Sequence, residues 1–254
     1  KYDQRPDHTL CVDGDGASCD KRRGVTFGRF GGLGNHRYQH GFSGDVANVD
    51  WANMAYQAYF TATASNVAFG WWSHDLVGPN NGDYELYTRW LQLGAYSPIM
   101  RMHDRGMSAG SCFGWPSDAT KCHMDVPWSV PAAFAAANRD AARARAALVP
   151  YVYTSARASH DSGLGLCRPL YSSYPEHDEA YPESMDALLG QTPGTRQYMF
   201  GPSLLVAPVT APGTCPPPRG QGLLQEPCGL TAHTVWLPPG EWYEIHTGAV
   251  RSGP

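Results

Sequence analysis

Short apolar runs that end in charged residues recur early in the chain and alternate with helical patterns. The runs cover residues 24–30, 40–46, 67–72 and 98–103. Asp50 and Asp83 stand where each could cap a helix whose apolar side chains recur at helical spacing, the second closed by Gly94. Strands alternating with helices predict parallel βα units. In a (β/α)8 barrel, charged residues at the carboxyl ends of such strands surround the active site.

Four such strands are half the number that a closed barrel of this kind requires. Half a barrel would leave open strand edges and an unfilled centre. We therefore expect an α/β fold in which residues 1–199 form the C-terminal portion of a (β/α)8 TIM-barrel catalytic domain, with the other half encoded before Lys1. Residues 200–254 are expected to begin a C-terminal β-sandwich domain.

The second half of the chain carries weaker patterns. An Ala- and Arg-rich helix is predicted from Pro131 to about Leu148, where Pro150 kinks or breaks it. Residues 163–193 are predicted to be irregular, and residues 196–209 are predicted to form strands with turns. Residues 235–237 and 242–245 predict a hairpin around a Pro-Gly turn.

Composition excludes two classes of partner. A net charge of −4 gives no basic footprint, so we expect no nucleic acid partner. Because no run of about 18 apolar residues occurs, we expect no membrane segment. The 8 Trp and 14 Tyr, many beside Asp, His and Arg, suit sugar rings, although composition alone favours aromatic core packing.

Six of the seven cysteines form pairs close in sequence. They are Cys11 with Cys19, Cys112 with Cys122, and Cys215 with Cys228, and Cys167 is left over. Local disulfides across these loops would indicate the secretory pathway or the cell exterior, and the alternative is reduced thiols in an intracellular enzyme. No C-x-x-C pair occurs, and the H-x-x-x-H spacing of His36 and His40 falls on a loop beside a strand rather than on a helix, so no metal is expected.

Several sequence blocks together resemble glycoside hydrolase family 31, which contains α-glucosidases and α-xylosidases. They are RFGGLGNHRYQHGFSGD (residues 29–45), GWWSHD (70–75), ELYTRWLQ (85–92) and SPIMRMH (97–103), followed by blocks at 148–154, 168–169, 197–208 and 237–243. Their order and gaps, more than any single block, carry the resemblance over roughly residues 25–250.

The resemblance implies a role for each matching residue. Asp45 corresponds to the general acid/base. Arg29 and His103 correspond to residues that hydrogen-bond the sugar, Asp75 to a carboxylate that binds or orders the same pocket, and Arg101 to its structural neighbour. Trp72, with Trp71, would wall the pocket or pack in the core. The attacking Asp would precede this sequence, so the 254 residues alone are expected to be inactive; the chemistry implies no cofactor.

The resemblance leaves the substrate and the reaction open. Where the family commonly has Ile-Gly-Gly after Asp75, this chain has Leu76, Val77 and Gly78, and valine restricts the backbone beside the sugar. The leading expectation is hydrolysis of a terminal α-linked glucoside with retention. The alternatives are a transglycosylase or lyase of the same family, and a non-catalytic carbohydrate-binding homologue.

Overall fold

The computed structural model describes residues 10–11, 19–20, 27–28, 34, 40–44, 50–77, 83–103, 127–128, 130–181, 196–213 and 231–254. Its strands are β1 (Leu10–Cys11), β2 (Cys19–Asp20), β3 (Phe27–Gly28), β4 (His40–Phe42), β5 (Trp72–Ser73), β6 (Leu76–Val77), β7 (Met102–His103), β8 (Cys167–Pro169), β9 (Tyr198–Phe200), β10 (Leu204–Val206), β11 (Gly240–Tyr243) and β12 (Val250–Gly253). Its α-helices are α1 (Trp51–Thr63), α2 (Tyr84–Ala95), α3 (Ala132–Ala147) and α4 (Val149–Ser162).

The strands of the first hundred residues pair in parallel. β4 lies between β3 and β5, and β6 pairs with β7. An isolated parallel bridge between Ser73 and Ile99 joins the two groups. The segment from β5 to β6 thus runs alongside residues 99–103, which include β7. Helices α1 and α2 follow β4 and β6 in the chain. The predicted parallel βα units are therefore present in the described residues.

Helix α1 begins where the sequence predicts. The Asp50 carboxylate accepts a hydrogen bond of 2.7 Å from the backbone N–H of Asn53, which satisfies one of the free donors of the first turn. Met54, Ala58 and Ala62 are buried in the core cluster that α1 shares with helix α2 and strand β8. After Thr63 the chain continues as a 3₁₀ turn to Val67.

Helix α2 also has the predicted N-cap, but Gly94 has a different role from the one predicted. Asp83 accepts a hydrogen bond of 2.9 Å from the N–H of Leu86. The helix continues through Gly94 to Ala95, so this glycine does not close it. A β-carbon at Gly94 would overlap Leu76 Cδ1, so the glycine makes room for a core side chain of strand β6.

Helix α3 ends and helix α4 begins on either side of Leu148, two residues before Pro150. The predicted break near Pro150 is therefore present. Arg145 in the last turn of α3 donates hydrogen bonds to the carbonyl oxygens of Ala95, Ser97 and Pro98 at 3.2, 2.6 and 2.7 Å. These carbonyls end α2 and begin the strand segment that leads to β7. Arg145 therefore holds the start of that strand.

The C-terminal part of the described chain is antiparallel. Strands β8, β9 and β10 form a sheet in the order β10-β9-β8, so the segment predicted to be irregular contains a strand. The hairpin predicted around Gly240 is wrong, because β11 pairs with β12 instead of residues 235–237. The turn between them is held by backbone hydrogen bonds of Glu244 to Gly248 and Ala249.

One core cluster joins the two parts of the chain. Met54, Trp90, Leu91 and Phe200 are among its buried members, so β9 packs on the same core as helices α1 and α2. In β1 and β2, Cys11 stands opposite Cys19, whereas the other two predicted cysteine pairs lie outside the described residues. Across the described part of the chain, we find no helix with the length and apolar character needed to span a bilayer.

Candidate active site

The segment from β5 to β6 sends alternate side chains to opposite faces of the sheet. Ser73 and Asp75 face Arg101, which precedes β7. His74 faces Thr61 on helix α1, and Leu76 packs towards Gly94 on helix α2. The face opposite the helices therefore carries a carboxylate at the carboxyl end of a parallel strand, where α/β enzymes place their sites.

Arg101 bonds both inward-facing side chains of the neighbouring strand. Its Nε donates a hydrogen bond of 3.0 Å to Ser73 Oγ, and its Nη2 donates to Asp75 Oδ1. The guanidinium carbon lies 4.9 Å from the centroid of the Phe42 ring in β4, within the range of a cation–π contact. Because Asp75 is fully buried, its charge requires such a partner.

His103 completes the group. Its Nε2 lies 4.0 Å from Asp75 Oδ2. Among the described residues, neither Asp75 Oδ2 nor His103 Nδ1 has a hydrogen-bond partner, although both atoms are buried. The structure thus brings Asp75, Arg101 and His103 together, as the strand-end pattern predicts, and leaves hydrogen-bonding capacity on two of them.

Trp72 lies on the other face of the sheet. Its ring packs edge-on against Phe60 of helix α1, with ring centroids 4.9 Å apart, and against Phe69 at 5.0 Å. Only 7% of the residue is exposed, and packing against the two phenylalanine rings accounts for this burial without a ligand. Trp72 is not brought together with Asp75, and its place in a pocket wall stays a prediction that this geometry does not favour.

Leu76 and Val77, which replace the Ile-Gly of the family pattern, form strand β6. Val77 is paired in parallel register with His103, and Leu76 with Met102. A β-branched residue is favoured in extended backbone. The valine therefore suits a sheet that continues two residues beyond Asp75.

A buried hydrogen-bonded histidine next to Asp75 escaped the sequence reasoning. His74 is 1% exposed; its Nε2 lies 2.6 Å from Thr61 Oγ1 and its Nδ1 lies 3.0 Å from Ser43 Oγ. Burial lowers the pKa of His74 from 6.5 to about 3, and the positive charge of Arg101 adds to the lowering. The imidazole is therefore neutral at ordinary pH. The signal for this site in the sequence is the histidine directly before Asp75.

The free energy of unfolding should decrease as the pH is lowered, because of this histidine. As pH drops, the unfolded chain binds the His74 proton near 6.5, whereas the folded state binds it only near 3. The loss of stability therefore begins near pH 6.5 and is on the order of 2–3 kcal/mol at pH 4.5. Urea unfolding of wild type and His74→Gln from pH 7 to 4.5 should show a steeper loss for wild type. His160→Gln, at an exposed position of α4, should follow wild type; parallel curves for wild type and His74→Gln would contradict the assignment.

Arg29 and Asp45 lie outside the described residues. Their chain neighbours are described: Gly28 ends β3, and Gly44 lies two residues beyond β4, the parallel neighbour of β3. The roles proposed for Arg29 and Asp45 therefore rest on the resemblance to the family. The described part of the site consists of Asp75, Arg101 and His103.

Two family models match the chain in succession. Residues 7–155 match the glycosyl hydrolases family 31 TIM-barrel domain, and residues 163–254 match the glycosyl hydrolase family 31 C-terminal domain. The chain belongs to glycoside hydrolase family 31. Its order of domains is thus a TIM-barrel domain followed by the family's C-terminal domain, and the boundary near residue 200 stays a prediction.

Individual members of family 31 are similar along most of this chain. Alpha-xylosidase A of Aspergillus niger is 31% identical over 78% of the chain, which spans 27% of that relative. The alpha-glucosidase of Hordeum vulgare is 28% identical over 89% of the chain, which spans 21% of that relative. The chain therefore spans about a quarter of the length of these curated relatives.

A solved enzyme structure is similar to the fold described here. The cycloalternan-degrading enzyme of Trueperella pyogenes, in complex with a covalent intermediate, has a TM-score of 0.66 and 26% sequence identity. The match covers 90% of this chain and 27% of that enzyme. The similarity extends from sequence to three-dimensional structure.

Proposed function

We propose that the full-length protein is a retaining glycoside hydrolase that cleaves terminal α-glycosidic bonds, with α-glucosides as its expected substrates. The observation that carries the proposal is the cluster of Asp75, Arg101 and His103 at the carboxyl ends of adjacent parallel strands in a family 31 chain. The relatives named alpha-xylosidase and alpha-glucosidase support the linkage type.

The cluster has the polarity that a sugar pocket requires. Arg101 occupies one oxygen of Asp75, and Oδ2 has no hydrogen-bond partner among the described residues, so we propose that a sugar hydroxyl donates to Oδ2 on binding. Nδ1 of His103 likewise has no partner among the described residues. A buried carboxylate with a fixed orientation would hold such a hydroxyl with a charge-assisted hydrogen bond. We assign Asp75 and His103, with Arg29, to the binding of the sugar whose bond breaks.

The reaction requires two further groups. In retaining enzymes one carboxylic acid protonates the leaving oxygen, and a second carboxylate, about 5 Å away, attacks the anomeric carbon to form a glycosyl-enzyme. Water then attacks the anomeric carbon of the glycosyl-enzyme and releases the second carboxylate. The first residue accepts a proton from this water, which returns it to its acid form. We assign the acid/base role to Asp45 and the attack to an Asp from sequence outside these 254 residues.

The number of parallel strand segments supports the attack by an outside residue. Four such segments are described, β3, β4, β5–β6 and β7, and an eight-stranded barrel requires four more. We therefore propose that residues outside this chain supply the other barrel half, and that the C-terminal sheet belongs to a β-sandwich. The 254 residues without that half should hydrolyse no α-glucoside.

The test is the anomeric configuration of the first product. Full-length protein is incubated with an aryl α-glucoside and an aryl α-xyloside, and the released sugar is followed by proton NMR before mutarotation. The proposal expects the α-anomer first and faster cleavage of the glucoside. An initial β-anomer, or binding without any bond cleavage, would overturn it. Transfer to an acceptor sugar in place of water would identify a transglycosylase.

A further inference from the structure

Three hydrogen bonds in series join helix α1 to the end of strand β4. The Thr61 hydroxyl donates to the carbonyl oxygen of Gln57 at 2.8 Å. With the single Thr61 proton assigned to Gln57, Thr61 Oγ1 accepts from His74 Nε2–H at 2.6 Å. The neutral ring then has a lone pair on Nδ1, which accepts the Ser43 hydroxyl proton at 3.0 Å. The tautomer of His74 is thus assigned from its hydrogen-bond partners.

Ser43 is the point at which the chain leaves the sheet. Its backbone N–H donates to the carbonyl oxygen of Ser73 at 3.1 Å, the last pairing described along this strand. Gly44 follows with φ of 92°, a conformation that glycine adopts without strain. Asp45 is the next residue in the sequence. A bond to the Ser43 side chain therefore acts on the last residue held in the sheet before Asp45.

We propose that His74 is a positioning residue for the acid/base Asp45: by joining Ser43 to Thr61 it fixes the strand end before Asp45 relative to helix α1. The inference rests on the proposed function, from which the role of Asp45 comes. His74 faces helix α1, away from the side of the sheet that carries Asp75. It therefore acts on the reaction through Ser43 and not through the sugar.

A neutral imidazole suits this position for two reasons. It is rigid, and it presents a donor and an acceptor at opposite sides of one ring. Its ring also packs edge-on against Phe60, with centroids 6.2 Å apart. A charged side chain at such a buried position would be unfavourable without a counter-ion, and a flexible amide can reach only one of the two partners.

The two amide substitutions separate the two hydrogen bonds. In His74→Gln the amide nitrogen can take the place of Nε2 and keep the bond to Thr61, but the bond to Ser43 is lost. In His74→Asn the amide oxygen can take the place of Nδ1 and keep the bond to Ser43, but the bond to Thr61 is lost. Ser43→Ala removes only the link towards Asp45.

The readout is kcat/KM in the full-length protein for aryl α-glucosides with poor and with good leaving groups, because kcat/KM reports the step that breaks the glycosidic bond. His74→Gln and Ser43→Ala should each lower kcat/KM for the poor leaving group at least about tenfold, a fraction of what general acid catalysis contributes, with kcat/KM for the good leaving group nearly unchanged. His74→Asn should lie closer to wild type. The double variant His74→Gln/Ser43→Ala should lose no more than either single variant.

Thr63→Val provides the matched control. Thr63 lies on the same helix and donates a similar hydrogen bond, of 3.0 Å, to the carbonyl oxygen of Tyr59. Its removal should leave kcat/KM for both leaving groups unchanged. Equal losses for both leaving groups in His74→Gln and Ser43→Ala would mean a structural role and overturn the inference alone. Ser43→Ala decides the outcome if His74→Gln does not fold.

A different result would count against the proposed function. If wild type cleaves no α-glycoside, or if Asp45→Ala retains wild-type kcat, the acid/base assignment is wrong and the inference falls with it. If wild type is active and Asp45→Ala shows the leaving-group effect, while Ser43→Ala shows none, only the inference about His74 is overturned. The two failures are therefore distinguishable in one set of assays.

Discussion

Replacement of Asp45 by alanine in the full-length protein is expected to lower kcat for α-glucosides with poor leaving groups by about 10²–10⁴-fold. Such substrates need a proton on the departing oxygen as the bond breaks, whereas a good leaving group departs as an anion. Initial rates for a series of aryl α-glucosides, plotted against the acidity of the leaving phenol, should therefore fall much more steeply for Asp45→Ala than for wild type.

Azide adds a second diagnostic to the same variant. Without Asp45 no base activates the water that releases the glycosyl-enzyme, but an anionic nucleophile needs no such base. Azide should therefore raise the turnover of good leaving groups by Asp45→Ala and yield the glycosyl azide. Asp50→Ala, which removes only the N-cap of α1, should cost roughly 1 kcal/mol of stability and show no leaving-group effect. Wild-type rates in Asp45→Ala would show that another group is the acid.

Helix starts could be predicted from the sequence because their physical cause is local. Asp50 and Asp83 each accept a bond from the N–H three residues on, so the signal and its partner lie within one turn. The end of α2 could not be predicted, because the role of Gly94 depends on a residue from another element. Gly94 resembles a local stop signal, but its small size serves the approach of Leu76 from another element, which sequence spacing does not reveal.

The cluster of Asp75, Arg101 and His103 was predictable because parallel strands bring their carboxyl ends together. The facing of individual side chains was not. The run ending at Trp72 is apolar throughout and carries no alternation, so it does not show that Trp72 and His74 face α1 while Asp75 faces Arg101. A shift of one residue exchanges the two faces.

The C-terminal hairpin shows how a turn signal can mislead. Pro238, Pro239 and Gly240 resemble a turn between two strands, yet Gly240 begins β11 and the turn follows Tyr243. Gln197 bonds both the N–H and the carbonyl oxygen of Trp236, at 2.8 and 2.7 Å. Those backbone groups are thereby satisfied by a side chain distant in sequence, which local composition does not encode.

Asp75→Asn is expected to lower the free energy of unfolding by about 3 kcal/mol, the lower end for breaking a buried ion pair, because the Arg101 side chain is 30% exposed. The amide keeps the shape of the side chain but removes the negative charge that faces Arg101. Urea unfolding of the full-length protein at pH 7 measures the loss. Asp161→Asn, which breaks the exposed Arg157–Asp161 pair on α4, should cost no more than about 0.5 kcal/mol.

Activity separates the structural role of Asp75 from its proposed role in binding the sugar. Losing a charge-assisted hydrogen bond worth roughly 1.5–3 kcal/mol should lower kcat/KM by about 10- to 100-fold. In Asp75→Asn/Arg101→Met the two losses of stability should not add, because both substitutions break the same ion pair, while kcat/KM stays low. Recovery of kcat/KM in the double variant would mean that Asp75 serves only to hold Arg101, and the sugar would then be held by other groups of the cluster.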